Sequence, residues 1–186
     1  LARSKDGGKT WESLLAGRRA RAGDNRTVLE AIAFADERVG WTIGSSGTVR
    51  TSLDGGATWD VPKTELDASE NLYAMMFPRP TEGWIVGQEA AIYRTTDGGH
   101  TWHRIANDAE ADYYDLYDIA FRNQDPAHGW VVGDGGVILR TEDGGDTWTT
   151  ERSGVDGALH GVAVTPNGLA FAVGAWGVIL AARAAK

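Results

Sequence analysis

Asp97-Gly98-Gly99-His100-Thr101-Trp102 is one of four nearly identical segments that decide the fold of this chain. The others begin at residues 6, 54 and 143, so the aspartates recur at intervals of 48, 43 and 46 residues. A repeat of about 40–50 residues is typical of a β-propeller, in which each repeat forms one four-stranded blade. Aspartate closes a tight turn, glycine allows a positive φ, and tryptophan offers a large apolar face. The pattern predicts one structural turn per repeat, formed by Asp6 and Trp11, Asp54 and Trp59, Asp97 and Trp102, and Asp143 and Trp148.

Short apolar runs keep a constant distance from these turns. The first run of each repeat is Leu29–Phe34, Leu72–Phe77, Leu116–Phe121 or Leu159–Val164. A second run begins at Gly40-Trp41, Gly83-Trp84 and Gly129-Trp130, and Gly168-Leu169 takes that place in the last repeat. A third run covers residues 48–51, 91–95, 137–141 and 178–182. Each repeat is therefore expected to form three short strands, the Asp-Gly-Gly turn and a fourth strand that begins at the tryptophan.

These elements predict an all-β fold, a propeller of four-stranded antiparallel blades that forms a single domain over residues 1–186. The repeats lie at about 16–59, 60–102, 103–148 and 149–186, and residues 1–15 complete the last of them. The last repeat has no Asp-Gly-Gly turn, whereas the start of the chain supplies a turn and a strand at Thr10–Leu15. We therefore expect the terminal strands to pair in one blade and close a four-bladed ring. The alternative is that the repeats are part of a larger propeller.

Composition limits the possible functions. The chain has 186 residues with a formal net charge of −8, which disfavours nucleic acid as a partner. It has no cysteine, so disulfides, thiolate nucleophiles and zinc–thiolate sites are excluded. The apolar runs are too short to span a membrane.

His100 and His103 lie on either side of Trp102 and point in opposite directions on a strand, so we expect no metal site or cofactor. No hydrolase, phosphate-loop or metalloprotease motif is present, and the sequence does not indicate an enzyme.

A longer unit carries a resemblance to a known family. The turn segments fit the pattern Ser/Thr-x-Asp-x-Gly-x-Thr-Trp of the Asp-box (BNR repeat), which occurs in sialidases and sortilin-like receptors. The stretch from Gly129 to Trp148 resembles the repeat of Ycf48/HCF136-like photosystem II stability and assembly factors. The resemblance implies a non-catalytic, protein-binding extrinsic subunit or assembly factor of a photosynthetic reaction-centre complex. Its expected partners are membrane-embedded reaction-centre proteins or their extrinsic subunits, and its expected location is the periplasm or thylakoid lumen, at the membrane periphery.

The resemblance also implies an arginine patch for partner contact. The matching position, just before the Ser or Thr of the box, holds Arg3, Arg94 and Arg140. In the second repeat Thr51 stands there and Arg50 precedes it, an offset that places Arg50 on the other face unless a bulge restores it. Guanidinium groups in an acidic protein are natural anchors for carboxylates.

A tyrosine-rich segment is a second candidate for partner contact. Tyr113, Tyr114 and Tyr117 are interleaved with acidic residues, and tyrosine is frequent at protein interfaces.

Two other functions remain open from the sequence. One is a secreted or cell-surface module that binds other proteins or glycans. The other is a sialidase-like glycosidase, which is disfavoured because the arginines recur at one repeat position instead of forming an assembled triad, and because the chain is short.

Overall fold

The described part of the molecule is built from β-strands. A computed structural model describes residues 1–14, 28–67, 69–109, 114–122 and 126–182 of the chain. These residues form sixteen short strands in five antiparallel sheets, so the all-β prediction is confirmed. Within these ranges, no helix has the length and apolar character needed to cross a membrane.

Four of the sheets correspond to the four repeats and are called blades A to D in chain order. A two-stranded sheet precedes them, formed by β1 (Ala2–Arg3) and β2 (Glu12–Ser13). Blade A contains β3 (Leu29–Phe34), β4 (Gly40–Gly44) and β5 (Val49–Ser52). Blade B contains β6 (Leu72–Met76), β7 (Gly83–Gly87), β8 (Ile92–Thr95) and β9 (His103–Arg104). Blade C contains β10 (Leu116–Phe121), β11 (Gly129–Gly133), β12 (Ile138–Thr141) and β13 (Thr149–Glu151). Blade D contains β14 (Leu159–Val164), β15 (Ala170–Gly174) and β16 (Ile179–Ala181).

The blades share one register. Trp84 lies opposite Arg94, and Trp130 lies opposite Arg140. The first strand of each blade has a register shift after its leucine, which is Leu29, Leu72, Leu116 or Leu159. Because this irregularity recurs at the same place, the four repeats are structurally equivalent, as the sequence predicts.

The hydrophobic core lies between neighbouring blades. The second strands of blades B and C bury both faces, because alternate residues of a strand point to opposite sides and each side meets another blade. Trp84 and Val86 of blade B pack with Phe121 and Val131 of blade C. Blades A and B share a similar cluster around Trp41. The cluster between blades C and D, around Val132, Leu159 and Ala172, is smaller.

The last repeat differs from the sequence interpretation in one detail. Its second strand begins at Ala170 and not at Gly168-Leu169. Phe171 lies opposite Ala163, as Trp130 lies opposite Ala120, so Phe171 takes the position of the blade tryptophans. Gly168 instead lies in the preceding turn with a φ of +86°. The Gly168-Leu169 pair did not mark the start of the strand, because glycine can occupy a turn as readily as the first position of a strand.

The four-bladed closure is not confirmed. Blades pack in the order A to B, B to C and C to D, and the described strands of blades A and D form no comparable contact. Strands β1 and β2 pair with each other. We call residues 1–14 the N-terminal hairpin, and its Trp11 side chain is 66% exposed. Strand β2 falls within the expected Thr10–Leu15, although Leu15 is outside the described residues. The described strands therefore form an open arc of four blades and not a closed ring.

Candidate partner-binding surface

The Asp-box turns are closed by a repeated set of hydrogen bonds. In blade B, Asp97 Oδ1 accepts from the Thr101 backbone N–H at 2.9 Å, and Asp97 Oδ2 accepts from the Thr101 hydroxyl at 2.7 Å. The Thr95 hydroxyl donates to Asp97 at 2.8 Å and accepts from the Gly99 N–H at 2.8 Å. Equivalent bonds are present at Asp6, Asp54 and Asp143. The box aspartates therefore engage the backbone and threonine hydroxyls of their own turns.

Two of the boxes also join neighbouring blades. A Cβ atom added to Gly99 would lie 2.5 Å from the ring of Trp41, and one added to Gly145 would lie 2.3 Å from Nε1 of Trp84. Trp41 in addition donates from Nε1 to the carbonyl oxygen of Gly98 at 3.2 Å. The box turn of one blade thus packs directly on the second-strand tryptophan of the blade before it, at a place with no room for a side chain.

The box tryptophans have unlike surroundings. Trp102 and Trp148 are each 2% exposed, whereas Trp59 is half-buried and Trp11 is mostly exposed. Trp102, Trp148 and Trp59 pack edge-to-face on a phenylalanine at the end of the first strand of their own blade. Among the described residues, no phenylalanine packs on Trp11 in this way. The four turns therefore share their internal geometry but differ in how their tryptophans pack.

The hydrogen bonds shift the ionisation of the box aspartates. The pKa of Asp54 is lowered from 3.8 to about 2 by the backbone N–H and the hydroxyl of Thr58. Burial raises the pKa of Asp143, but hydrogen bonds from Thr147 and Thr141 outweigh it and lower the pKa to about 2. A pKa that is lower in the folded chain than in the unfolded chain means that folding favours the carboxylate form. This stabilisation is therefore present above the pKa of the aspartate in the unfolded chain, and it is lost as the pH falls through the pKa in the folded chain.

We accordingly expect the free energy of unfolding to decline as the pH falls from about 4 to about 2. Asn at position 143 cannot ionise, so Asp143→Asn should make this decline shallower. Chemical denaturation at a series of pH values measures the effect. A variant whose slope equals that of the wild type would contradict the assignment.

Arg3, Arg94 and Arg140 occupy one structural position, which we call the arginine row. They lie opposite Glu12, His103 and Thr149 in the pairing of the third and fourth strands. The register thus places the three residues at equivalent positions of their repeats. All three immediately precede a box turn, and Arg94 and Arg140 lie at the edge of blades B and C at which the boxes lie.

Two members of the arginine row, Arg94 and Arg140, pair with carboxylates. Arg94 pairs with Asp146, which belongs to the box of the next blade, and its guanidinium lies 5.2 Å from the ring centre of Trp84. Arg140 pairs with Glu142 at 2.5 Å and with Glu151 at 3.4 Å. The side chains of Asp146 and Glu142 are 66% and 65% exposed. Exposed surface acids thus hold arginines that are themselves largely covered.

Arg50 does not belong to this row. The pairing of β4 with β5 is regular, with Thr51 opposite Trp41 and Arg50 opposite Thr42. No bulge corrects the offset, so Arg50 points to the other face of the strand. It takes the position of Tyr93 in blade B.

The tyrosines lie at the opposite edge of the blades. Tyr117 follows the leucine that begins the first strand, whereas the arginine row lies where the third strand ends. Burial and a hydrogen bond to Asp134 raise the pKa of Tyr117. The backbone carbonyl of Tyr114 accepts from the Ala90 N–H at 2.6 Å and so links blades B and C. Tyr113 lies outside the described residues. The arginine and tyrosine candidates therefore do not form one site.

A row of aromatic side chains was missed in the sequence. The ring of Tyr117 lies 5.4 Å from that of Tyr73 and 5.4 Å from that of His160. Each of the three follows the first-strand leucine of its blade, and alignment of the repeats at that leucine could have found them. Across the described ranges, no group of three or more His, Asp or Glu side chains is arranged to hold a metal ion.

A groove of about 520 Å³ separates blades C and D at the box edge. Trp130, Arg140 and Glu151 line one side, and Ala172 and Leu180 line the other. The box of blade C fills the corresponding place between blades B and C. The groove could not be predicted from the sequence, because it depends on how blades C and D pack.

Comparisons with known proteins agree with this architecture. The family model described as photosynthesis system II assembly factor YCF48 matches residues 19–112 and 108–161. The model of the BNR/Asp-box repeat matches residues 2–13. No curated protein matches the chain.

Several solved structures share the fold. A structure of YCF48 bound to D1 peptide is 27% identical with a TM-score of 0.65, and the match covers 80% of this chain and 47% of that one. YCF48 from Cyanidioschyzon merolae is 23% identical with a TM-score of 0.67, and the match covers 86% and 54%. The GH74 xyloglucanase from Xanthomonas campestris is 17% identical with a TM-score of 0.74, and the match covers 97% and 33%. The chain thus spans about half the length of the YCF48 structures. Because the YCF48 family model matches most of its residues, the chain belongs to the photosynthesis system II assembly factor YCF48 family.

Proposed function

We propose that the chain is a non-catalytic assembly or stability factor that binds a peptide of a photosynthetic reaction-centre protein along its arginine row. The observation that carries the proposal is the repeated arginine position, in a protein whose net charge is −8. Membership of the YCF48 family and the structure of a relative bound to D1 peptide support the choice of partner.

We propose that the partner peptide binds when one of its carboxylates replaces a carboxylate of the protein at Arg140. Arg140 is held by Glu142 and Glu151, and the Glu142 side chain is largely exposed. Ion pairs that involve exposed side chains contribute only about 0–1 kcal/mol. A peptide carboxylate that can also contact the groove beside Arg140 would therefore replace Glu142 at little cost. The planar guanidinium can hold such a carboxylate through two parallel hydrogen bonds.

The proposal also assigns a role to the tyrosines at the opposite edge of the blades and a location to the protein. Tyr114 and Tyr117 would serve a second contact at the opposite edge, since the fold separates them from the arginine row. A partner among membrane-embedded reaction-centre proteins or their extrinsic subunits places the chain at the periplasmic or lumenal membrane surface. The likeness to GH74 enzymes, below 25% identity, concerns the fold alone and supports no glycosidase activity.

A labelled D1 peptide titrated against the protein tests this function. We expect Arg140→Gln to weaken binding by about tenfold or more, because a hydrogen bond to a charged group contributes about 1.5–3 kcal/mol. Arg50→Gln is the matched control, with the same change of charge on the third strand of blade A but on the other face of that strand. It should alter the dissociation constant by less than about twofold. Fluorescence anisotropy at fixed salt gives both values.

Two outcomes would contradict the proposal. If the wild-type protein does not bind the peptide, the assignment of the partner fails, and a module for other proteins or glycans becomes the better hypothesis. If Arg140→Gln and Arg50→Gln weaken binding equally, only the general charge matters and the arginine row is not the site. Melting temperatures of both variants show whether folding is preserved.

A further inference from the structure

Three aromatic side chains, Tyr73, Tyr117 and His160, form a row on the concave side of the arc, which we call the aromatic row. The first strands of neighbouring blades contact each other, so these strands line the concave side. The three residues occupy the same position of three successive first strands, and adjacent rings lie 5.4 Å apart. Tyr73 and Tyr117 are half-buried, and His160 is exposed. The row is therefore a continuous aromatic surface that solvent can reach.

Carboxylates lie at the hydroxyl end of both tyrosines. The Tyr73 hydroxyl donates to Asp115 Oδ2 at 3.0 Å, and Asp115 Oδ1 accepts from the Glu89 backbone N–H at 3.1 Å. The Tyr117 hydroxyl is hydrogen-bonded to Asp134. Burial and these carboxylates raise the pKa of Tyr73 and of Tyr117, so both hydroxyls remain donors at neutral pH. Both carboxylates are half-buried and remain accessible beside the rings.

The edge that carries the aromatic row is acidic. We call this the tyrosine edge, and it comprises residues 28–30, 45–48, 69–73, 88–91, 114–117, 134–137, 153–160 and 175–178. These segments contain no lysine or arginine but six acidic residues: Glu30, Glu70, Glu89, Asp115, Asp134 and Asp156. Arg104 of strand β9 pairs with Glu70. In the described part of the chain, no lysine or arginine pairs with Asp115 or Asp134. The negative charge beside the row is therefore uncompensated there.

An exposed tryptophan adds to the tyrosine edge. Trp176 lies in the turn between β15 and β16, is 88% exposed and has a φ of +57°. A bulky side chain seldom occupies this left-handed backbone region, and such strain is frequent at functional sites. The equivalent residues Ser46, Glu89 and Gly135 are also exposed, although a further blade follows each of them. The exposure of Trp176 is therefore a property of this turn position.

We infer that the aromatic row binds an extended, arginine-bearing segment of a partner protein, with its guanidinium groups at Asp115 and Asp134. Guanidinium groups stack on aromatic rings and pair with carboxylates through parallel hydrogen bonds, and the row offers both. Alternate side chains of an extended segment point the same way about 6.6 Å apart, close to the 5.4 Å spacing of the rings. The inference rests on the proposed function, since it gives the chemistry of the second contact at this edge.

Fluorescence anisotropy with a labelled heptapeptide of alternating glycine and arginine tests the inference. The same peptide with citrulline in place of arginine is the control ligand, because citrulline keeps the shape of arginine and lacks its charge. We expect the citrulline peptide to bind at least about tenfold more weakly than the arginine peptide. Asp134→Asn should weaken binding of the arginine peptide by about tenfold, and Tyr117→Leu by about threefold or more.

Two further variants separate the site from the general charge of the protein. Asp60→Asn removes the same charge from an exposed side chain that is bridged to Thr51, outside the tyrosine edge. It should change the dissociation constant by less than about twofold. Glu30→Gln alters an exposed side chain close to Tyr73 and should weaken binding by about threefold, even if Asp134→Asn impairs folding. Melting temperatures of all variants report on folding.

Three results would overturn the inference: no binding of the arginine peptide, equal binding of the citrulline peptide, or equal weakening by Asp134→Asn and Asp60→Asn. A parallel titration with D1 peptide separates this failure from that of the proposed function. Asp134→Asn should leave the affinity for D1 peptide within about twofold, and Arg140→Gln should do the same for the arginine peptide. If D1 peptide binds at the arginine row and the arginine peptide does not bind, only the present inference is wrong.

Discussion

Truncation of Trp102 to alanine is expected to destabilise the protein by about 3–5 kcal/mol, as for other buried aromatic residues. The side chain is 2% exposed. Its ring lies 6.1 Å from that of Trp41 in the preceding blade and 5.9 Å from that of Phe77 in its own. The change therefore removes a contact within blade B and a contact between blades A and B. In a chain of this length the melting temperature should fall by roughly 6–20 °C.

Trp11→Ala provides the control for this prediction. Trp11 occupies the same position of an Asp-box, but its side chain is 66% exposed. Its loss should change the free energy of unfolding by no more than about 0.5 kcal/mol. Differential scanning calorimetry or urea denaturation measures both variants. If the two truncations had equal effects, the box tryptophans would not differ in burial as the structure describes.

The strands could be predicted closely from the sequence because their signals are local. Glycine and tryptophan begin β4, β7 and β11, and the Asp-Gly-Gly turns follow the third strands. In the last repeat the signal is weaker, since Ala170 and Phe171 replace the Gly-Trp pair. A glycine two residues earlier then suggested the wrong start.

Closure of the ring could not be predicted in the same way. The pattern of buried residues along the strands of a blade is the same in an open arc and in a closed ring. In both arrangements the second strand lies between neighbouring blades. The number of blades depends instead on the angle at which clusters such as that of Trp84 and Phe121 pack. The spacing of the repeats in the sequence does not determine that packing angle.

The candidate site was predictable only in part. The repeat alignment identified Arg3, Arg94 and Arg140 as equivalent, and it separated Arg50 from them by one residue. It could not show that Asp146 pairs with Arg94, because Asp146 lies 52 residues along the chain, in the next blade. Nor could it show that the tyrosines lie at the other edge.

Gly145→Ala is the second large effect that we expect. Gly145 has a φ of +81°, where a side chain adds about 1–2 kcal/mol of strain. Its new Cβ would also lie 2.3 Å from Trp84, and overpacking of a core contact costs about 1–3 kcal/mol. The total loss should be about 2–5 kcal/mol. Gly144→Ala, in the same turn at a φ of +76°, leaves 3.6 Å to its nearest described neighbour and should show the strain alone.

A double-mutant cycle between Gly145 and Trp84 tests most directly whether the box turns join the blades. Unfolding free energies would be measured for Gly145→Ala and Gly144→Ala in the wild-type and the Trp84→Ala backgrounds. Once Trp84 is truncated, the added methyl group has room, so Gly145→Ala should cost no more than Gly144→Ala. If Gly145→Ala kept its full additional cost in the absence of the Trp84 ring, the box would not contact the preceding blade as described.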